Sequence, residues 1–367
     1  MSGPLRLAIL GATGSVGRQA LEVAAAHRDR LQVTALAART REDELRRIAA
    51  ELGVRHTATG DDDLVPLVTA DDVDLVLVAT PGIAGLRPTL AALAAGKDVA
   101  LANKEVLVVG GHLVRAAVGG AGRRLRPVDS EHCALWQCLA GVRPEEVRRI
   151  ALTASGGPFR DRPLADLAGV TPAEALRHPT WRMGEKVTID SATLANKGYE
   201  VIEAHWLYGL PYDRIDVVLH PESVVHAMVE LVDGSVKAQL AEPDMRLPIQ
   251  YALLWEHRAG PATRLDWTQA RALHFGPVPA DRYPCLAAVL ETAWSGDAGA
   301  MIGLSAADEL AVERFLGGSI GFGEIAGYLR RGADLGAHAA GDTATVEGIL
   351  AIDTAVRRGL APVTVED

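Results

Sequence analysis

The chain has 367 residues, and 49% of them are hydrophobic, enough to bury more than one core. A formal net charge of -10 excludes nucleic acid or an anionic membrane as the main partner, while leaving room for a local anion pocket. There is no apolar run of about 20 residues to span a membrane, and Cys133, Cys138 and Cys285 are too few for a disulfide framework; with "MSGPLRLAIL" running into a strand rather than reading as a signal peptide, we expect a cytoplasmic protein.

In chain order, "LRLAIL" reads as a buried strand, "SVGRQALEVAAAHRD" as a helix and "LQVTALAA" as a second strand. "REDELRRIAAELG" is a helix with an acidic start and a glycine stop. The strand "VDLVLVAT", the helix "PTLAALAAG", the strand "DVALAN", a helix from "KEVLVV" and a strand leading into "PVDSEH" follow. This alternation predicts a doubly wound parallel sheet, Rossmann-like, over residues 1–150. Residues 151–260 read as a central α+β catalytic domain: "VTIDSATLANKGYEVIEAHWLYG" is helical, and "IDVVLHPESVVHAMVELVDGSVKAQL" gives strands with a "DG" turn. Pro-rich residues 261–285 read as a linker, and 286–367 as a C-terminal helical domain.

The first motif is "GATGSVG", between a strand and a helix. Gly11, Gly14 and Gly17 form a turn whose amides suit a pyrophosphate at the helix N-terminus. An NAD site has an acid near the end of the second strand; here Arg39, Thr40 and Arg41 stand instead. Arg39 is therefore either a partner for a 2′-phosphate, which favours NADP(H), or a solvated surface charge.

Only five of the basic residues are lysines, and Lys104 and Lys197 each follow an Asn, in "LANKE" and "LANKGYE". Where arginine carries the general charge, such lysines point to a need for a compact ammonium. "PVDSEH" places Asp129, Ser130, Glu131 and His132 where a strand gives way to a helix. It is either a cap or a metal or substrate site. "LTASGGPFR" and "SATLANKG" supply Ser155, Ser191, Asn196 and Lys197, which can surround a phosphate or merely cap helices, with His178 in the loop between them. Glu200 lies one helical turn after Lys197. It is one half of a surface ion pair or, with Asp129 and Glu131, the third carboxylate of a site suited to Mg²⁺ or Mn²⁺.

These stretches, together with "HPTW" before "MG", "HPESVVHAMV", "EPDMR" and "DRYPCL", stand in the order found in the 1-deoxy-D-xylulose 5-phosphate reductoisomerase family, which the chain resembles over nearly its whole length. The resemblance implies a homodimer of the non-mevalonate isoprenoid pathway. Such an enzyme would isomerise a small phosphorylated sugar and reduce the product with NADPH to 2-C-methyl-D-erythritol 4-phosphate. It implies that Gly11, Thr13, Gly14, Ser15, Val16, Ala38, Arg39, Thr40, Asn103, Glu105 and Gly184 hold NADPH. Asp129, Glu131 and Glu200 would hold the divalent metal and act with Lys104 in catalysis. Lys104, Ser130, Glu131, Ser155, His178, Ser191, Asn196, Lys197 and Glu200 would hold substrate, under a lid carrying Trp181 and Met183. Departures from the family pattern stand at Cys133, Arg182, Ala195, Glu222, Ser305 and Asp308. They leave open a paralogue acting on another phosphorylated sugar, or an inhibitor-tolerant copy.

Overall fold

The computed structural model describes residues 3–60, 64–119, 125–181, 183–255, 257–260 and 263–361. Along the chain run β1 (Leu5–Leu10), α1 (Ser15–Ala26), β2 (Leu31–Ala38), α2 (Glu42–Leu52), β3 (His56–Thr59), α3 (Leu64–Thr69), β4 (Leu75–Val78), α4 (Leu86–Ala94), β5 (Asp98–Leu101), α5 (Glu105–Val118), β6 (Leu125–Pro127) and α6 (Ser130–Leu139). Then come β7 (Val147–Ala154), a short α7 (Pro172–Ala175), α8 (Glu185–Thr193), α9 (Ala195–Tyr208), β8 (Ile215–Leu219), β9 (Val225–Leu231), β10 (Val236–Leu240), α10 (Arg246–Leu253) and β11 (Gly276–Pro277). The last helices are α11 (Pro284–Ser295), α12 (Ala298–Leu316), α13 (Ile325–His338) and α14 (Val346–Leu360).

The chain divides into two compact units, neither of them contiguous in sequence. The first comprises Met1–Leu107, His112–Thr153 and Ser223–Leu273; the second comprises Val108–Gly111, Ala154–Glu222 and His274–Asp367.

In the first unit, six strands form a parallel sheet in the order β3-β2-β1-β4-β5-β6. The strand order reverses between β1 and β4, the switch point at which such sheets bind ligands. Its central strands are continuous apolar runs, as a sheet covered on both faces requires: Leu7, Ile9, Leu75 and Leu77 are fully buried. Ile249, Ala252 and Leu253 of α10 join that core with Ala20 and Val23 of α1. A second, antiparallel arrangement in the same unit pairs β7 with β9 and β9 with β10. Trp136 on α6 stacks on Trp255 at 4.2 Å between ring centres, with Tyr251 of α10 edge-on to Trp136.

The second unit is mainly helical, with β8 and β11 as an antiparallel pair. α9 meets α11 closely because Gly198 has no side chain; a Cβ there would lie 2.7 Å from Val289. α12 and α13 approach backbone to backbone. A Cβ on Gly299 would lie 2.6 Å from the Gly336 carbonyl, and one on Gly332 would lie 2.6 Å from the Gly303 carbonyl.

Candidate active site

In the first unit the Gly-rich turn sits at the carboxyl end of β1. Gly11 has φ +87°, and a Cβ there would lie 2.5 Å from the Ala79 carbonyl, so no other residue fits. Gly14 caps α1 without a side-chain hydrogen bond, which leaves the first-turn amides to an anionic ligand. Ser15 and Val16 open that helix. Thr13 is buried, and its carbonyl accepts from Arg18 Nε at 3.1 Å and Arg41 Nη1 at 2.8 Å. Arg41 thus braces the turn. Ala38 is buried at the end of β2, whereas Arg39 and Thr40 beyond it are exposed. No carboxylate stands at positions 38–41, which fits a phosphate rather than a ribose diol.

Two more strands of the sheet deliver chemistry at the same edge. Beyond β5, the buried Asn103 donates to the carbonyls of Thr80 and, at 2.8 Å, Gly82, and accepts from Val106 N at 3.0 Å. Its side chain is thereby a strut between two loops. Glu105, also buried, starts α5. Lys104 between them forms an ion pair with Asp129, which follows β6. Asp129 is the N-cap of α6, accepting from Ser130 N at 3.0 Å. Ser130 Oγ in turn donates to Glu131 Oε2 at 2.6 Å. Capping and a carboxylate cluster therefore coexist at "PVDSEH". Cys133, one turn later, is fully buried, and burial pushes its thiol up to about 12. It is core, not chemistry.

The second unit gathers hydroxyls around an imidazole. Ser155 leads a turn in which Gly157 lies so close to α8 that a Cβ would be 2.7 Å from the Ser191 carbonyl. His178 Nδ1 accepts from Thr180 N at 3.2 Å and Trp181 N at 2.9 Å. The ring proton therefore sits on Nε2, which is 3.1 Å from Ser155 Oγ and 2.9 Å from Ser191 Oγ. Burial holds the His178 pKa down to about 4, so the ring is neutral near pH 7.

α8 and α9 are separated by Leu194 alone, in the left-handed region at φ 57°. This break turns the chain so that Asn196 and Lys197 begin a new helix. Asn196 Nδ2 donates to Glu200 Oε1 at 2.5 Å, and Lys197 pairs with Glu200 Oε2. Glu200 and Lys197 are buried. Asn196 Oδ1 is buried without a hydrogen-bond partner, a polar atom poised for a ligand. The donor sets in both units, carboxylate oxygens beside ammonium groups and hydroxyls, suit a hard divalent cation and a phosphorylated ligand.

The described residues between His178 and α8 form no helix or strand. Trp181 and Met183 among them are partly buried, Gly184 is the exposed N-cap of α8, and Arg182 lies outside the described residues. Of the other departures, Ala195 and Ser305 are buried, while Glu222 accepts from His274 N at 3.2 Å and lies 2.5 Å from His274 Nδ1.

The sequence reading missed one cluster. Lys186 Nζ lies 2.7 Å from Asp190 Oδ2 and 2.6 Å from Asp308 Oδ2, and 5.2 Å from the centre of the Tyr199 ring. The four-residue spacing of Lys186 and Asp190 was visible in the sequence; the third member, 122 positions away, was not.

Three family models match the chain: 1-deoxy-D-xylulose 5-phosphate reductoisomerase over residues 7–65 and 53–111, the C-terminal domain of that enzyme over 125–208, and a further DXP reductoisomerase C-terminal domain over 240–359. The 1-deoxy-D-xylulose 5-phosphate reductoisomerase of Thermomicrobium roseum is 51% identical over 367 residues, covering 95% of each chain. That of Leifsonia xyli is 50% identical over 345 residues, covering 94% of each. Among solved structures, DOX-P reductoisomerase in complex with NADPH, fosmidomycin and magnesium superposes with a TM-score of 0.90 at 36% identity, covering 96% of this chain and 97% of that one. The Zymomonas mobilis enzyme in complex with NADPH gives 0.85 at 40% identity, covering 97% of both.

Proposed function

The chain belongs to the 1-deoxy-D-xylulose 5-phosphate reductoisomerase family, and we propose that it acts on that family's sugar phosphate through the residues described above. It is an NADP-dependent oxidoreductase of isoprenoid biosynthesis that isomerises 1-deoxy-D-xylulose 5-phosphate and reduces the product to 2-C-methyl-D-erythritol 4-phosphate, using NADPH and a divalent metal. The observation that carries the residue assignment is the pairing of two of the three carboxylates with an ammonium, Lys104 with Asp129 and Lys197 with Glu200, while the third, Glu131, accepts from Ser130 Oγ.

Asp129, Glu131 and Glu200 are the proposed metal ligands. A divalent cation held by them supplies Lewis-acid polarisation of the carbonyl and adjacent hydroxyl oxygens. Lys104 adds a fixed positive charge for negative charge developing on a substrate oxygen. Ser155, His178, Ser191, Asn196 and Lys197 grip the phosphate, with Ser130 on the sugar. That grip is remote from the reacting carbons, so its binding energy can order the 178–184 segment, with Trp181 and Met183, as a lid that excludes water. Gly11 and residues 13–16, 38–40, 103, 105 and 184 would hold NADPH, with Arg39 as the partner of its 2′-phosphate. In this reading residues 1–150 are the NADPH-binding domain, which also supplies Lys104, Asp129, Ser130 and Glu131, residues 151–260 are the catalytic, metal- and substrate-binding domain, which also supplies Gly184, 261–285 a linker, and 286–367 a C-terminal helical domain.

We also propose that Mn²⁺ substitutes for Mg²⁺, since oxygen donors alone discriminate poorly between them. A cytoplasmic homodimer is the matching assembly. Among the described residues no helix is long and apolar enough to cross a membrane, and Val232, Val236 and Trp267 present exposed apolar surface for a second copy.

The test is NADPH oxidation with 1-deoxy-D-xylulose 5-phosphate, with and without Mg²⁺, followed by carbon NMR of the product. Metal-dependent formation of a branched skeleton is expected. A linear polyol phosphate overturns the assignment.

A further inference from the structure

Lys186 occupies an unfavourable place for a cation. It stands in the first turn of α8, where the helix dipole repels positive charge. Its ammonium is mostly shielded from solvent, and two buried carboxylates hold it there, Asp190 one turn along the same helix and Asp308 from α12. Tyr199 of α9 lies under the same ammonium at 5.2 Å. One side chain thus ties three helices together at the turn of α8 that directly follows the 178–184 segment. The opposite end of that segment is tied by His178, through its bonds to Thr180 N, Trp181 N and Ser191 Oγ. The segment is a span between two anchors, one neutral and hydrogen-bonded, the other ionic.

Asp308 gives the second anchor its character. It is one of the positions named above at which this chain departs from the family pattern. An amide would also accept from Lys186; a carboxylate adds charge to the contact. The ionic form fixes the position and rotation of the first turn of α8 more firmly, and therefore of Ser191 five residues further along the helix.

We propose that Lys186, clamped by Asp190 and Asp308, is a positioning residue for the substrate: it fixes the trailing end of the 178–184 segment and the setting of Ser191 on α8. The proposal rests on the reading that Ser191 grips the phosphate and that 178–184 covers it. Lys186 acts through these groups and takes no part in bond making.

The test uses the full-length protein in two arms, with Lys186→Met and the double variant Lys186→Met/Asp308→Asn. The single variant leaves both acids without their cation and is expected to lose stability; the double variant removes one of those charges and recovers most of the lost Tm. In the first arm, without any ligand, chymotrypsin cleavage after Trp181 should be about tenfold faster than wild type in both variants. In the second, KM for 1-deoxy-D-xylulose 5-phosphate should rise about tenfold in both, with kcat within about twofold and NADPH affinity unchanged. Cleavage rate and KM that return to wild type along with Tm in the double variant would show Lys186 to be a stability element only, and would overturn the proposal. A fall in kcat at unchanged KM would overturn it too, by placing Lys186 in the chemistry. If wild type does not turn over this sugar while the cleavage arm behaves as stated, the assigned reaction falls and the anchor stands.

Discussion

Replacing His178 by Phe keeps a flat ring of similar size and removes its hydrogen bonds, four of them at 3.2 Å or less. Two are to the main-chain amides of Thr180 and Trp181, at 3.2 and 2.9 Å from Nδ1; two are to the hydroxyls of Ser155 and Ser191, at 3.1 and 2.9 Å from Nε2. Each such hydrogen bond is worth about 1 kcal/mol net. The two amides can turn to water, so the cost that reaches the substrate is the loosening of the two serines, about 2 kcal/mol. That corresponds to a rise of about 30-fold in KM for the sugar phosphate. NADPH binding should not change. The same ring makes a pH prediction. Burial lowers its pKa from 6.5 to about 4, so the unfolded chain takes up a proton before the folded one does. Stability contributed at this site is intact above pH 6.5 and falls as the pH drops from 6.5 toward 4. Full burial would make this about 3 kcal/mol, and partial exposure reduces it to about 1–2 kcal/mol. Protonation also removes the acceptor that holds Thr180 N and Trp181 N. In thermal unfolding followed from pH 8 to pH 4, wild type should lose Tm on the acid side, and His178→Phe should lack that limb. An unchanged KM in the variant, or an identical acid limb in both proteins, would refute the assigned role.

Three further outcomes follow from the same geometry. Asp129→Asn keeps the α6 cap but leaves Lys104 without its carboxylate; turnover should fall by orders of magnitude while NADPH binding, followed by cofactor fluorescence, persists. Arg39→Glu should weaken NADPH by about 1.5–3 kcal/mol and NADH little, because a charge-assisted contact to the 2′-phosphate is lost; equal effects on both cofactors would make Arg39 a plain surface charge. Gly299→Ala would push a methyl group to 2.6 Å from the Gly336 carbonyl and should cost about 1–3 kcal/mol, read as a lower Tm with KM for NADPH unaffected.

Much of the parallel sheet was legible because its signals are local. An apolar strand, a glycine turn and an amphipathic helix repeat, and each occupies consecutive residues. The short β3 and α3 were not legible: His56–Thr59 is largely exposed, and neither element is long enough to show a period. Nor was the break at Leu194. Leucine seldom adopts positive φ, so "SATLANKG" read as continuous helix; in the fold the turn lies among buried residues, Ala192, Leu194 and Ala195, whose burial no local signal announces. At the site, the cap at Asp129 was legible from residue type, since Asp before Ser at a strand end is a helix-start signal. The tautomer of His178 was not, because the amides that set it come from the fold of its own loop. Asp308 was visible only as a departure from a pattern; that it meets Lys186 depends on how α12 packs against α8.

The glycine contacts between α12 and α13 bear on stiffness. Where side chains separate two helices, rotamer changes absorb small displacements. Here the carbonyls of Gly303 and Gly336 lie against backbone, and there is nothing soft between the two rods. α12 has almost no freedom to slide along α13, and Asp308 on α12 inherits that immobility. A carboxylate mounted this way acts as a fixed post, and a strain applied to it passes into the helix pair without being damped. Thermal motion in this unit should therefore concentrate in the loops that end on such posts, with the helices that carry them moving least.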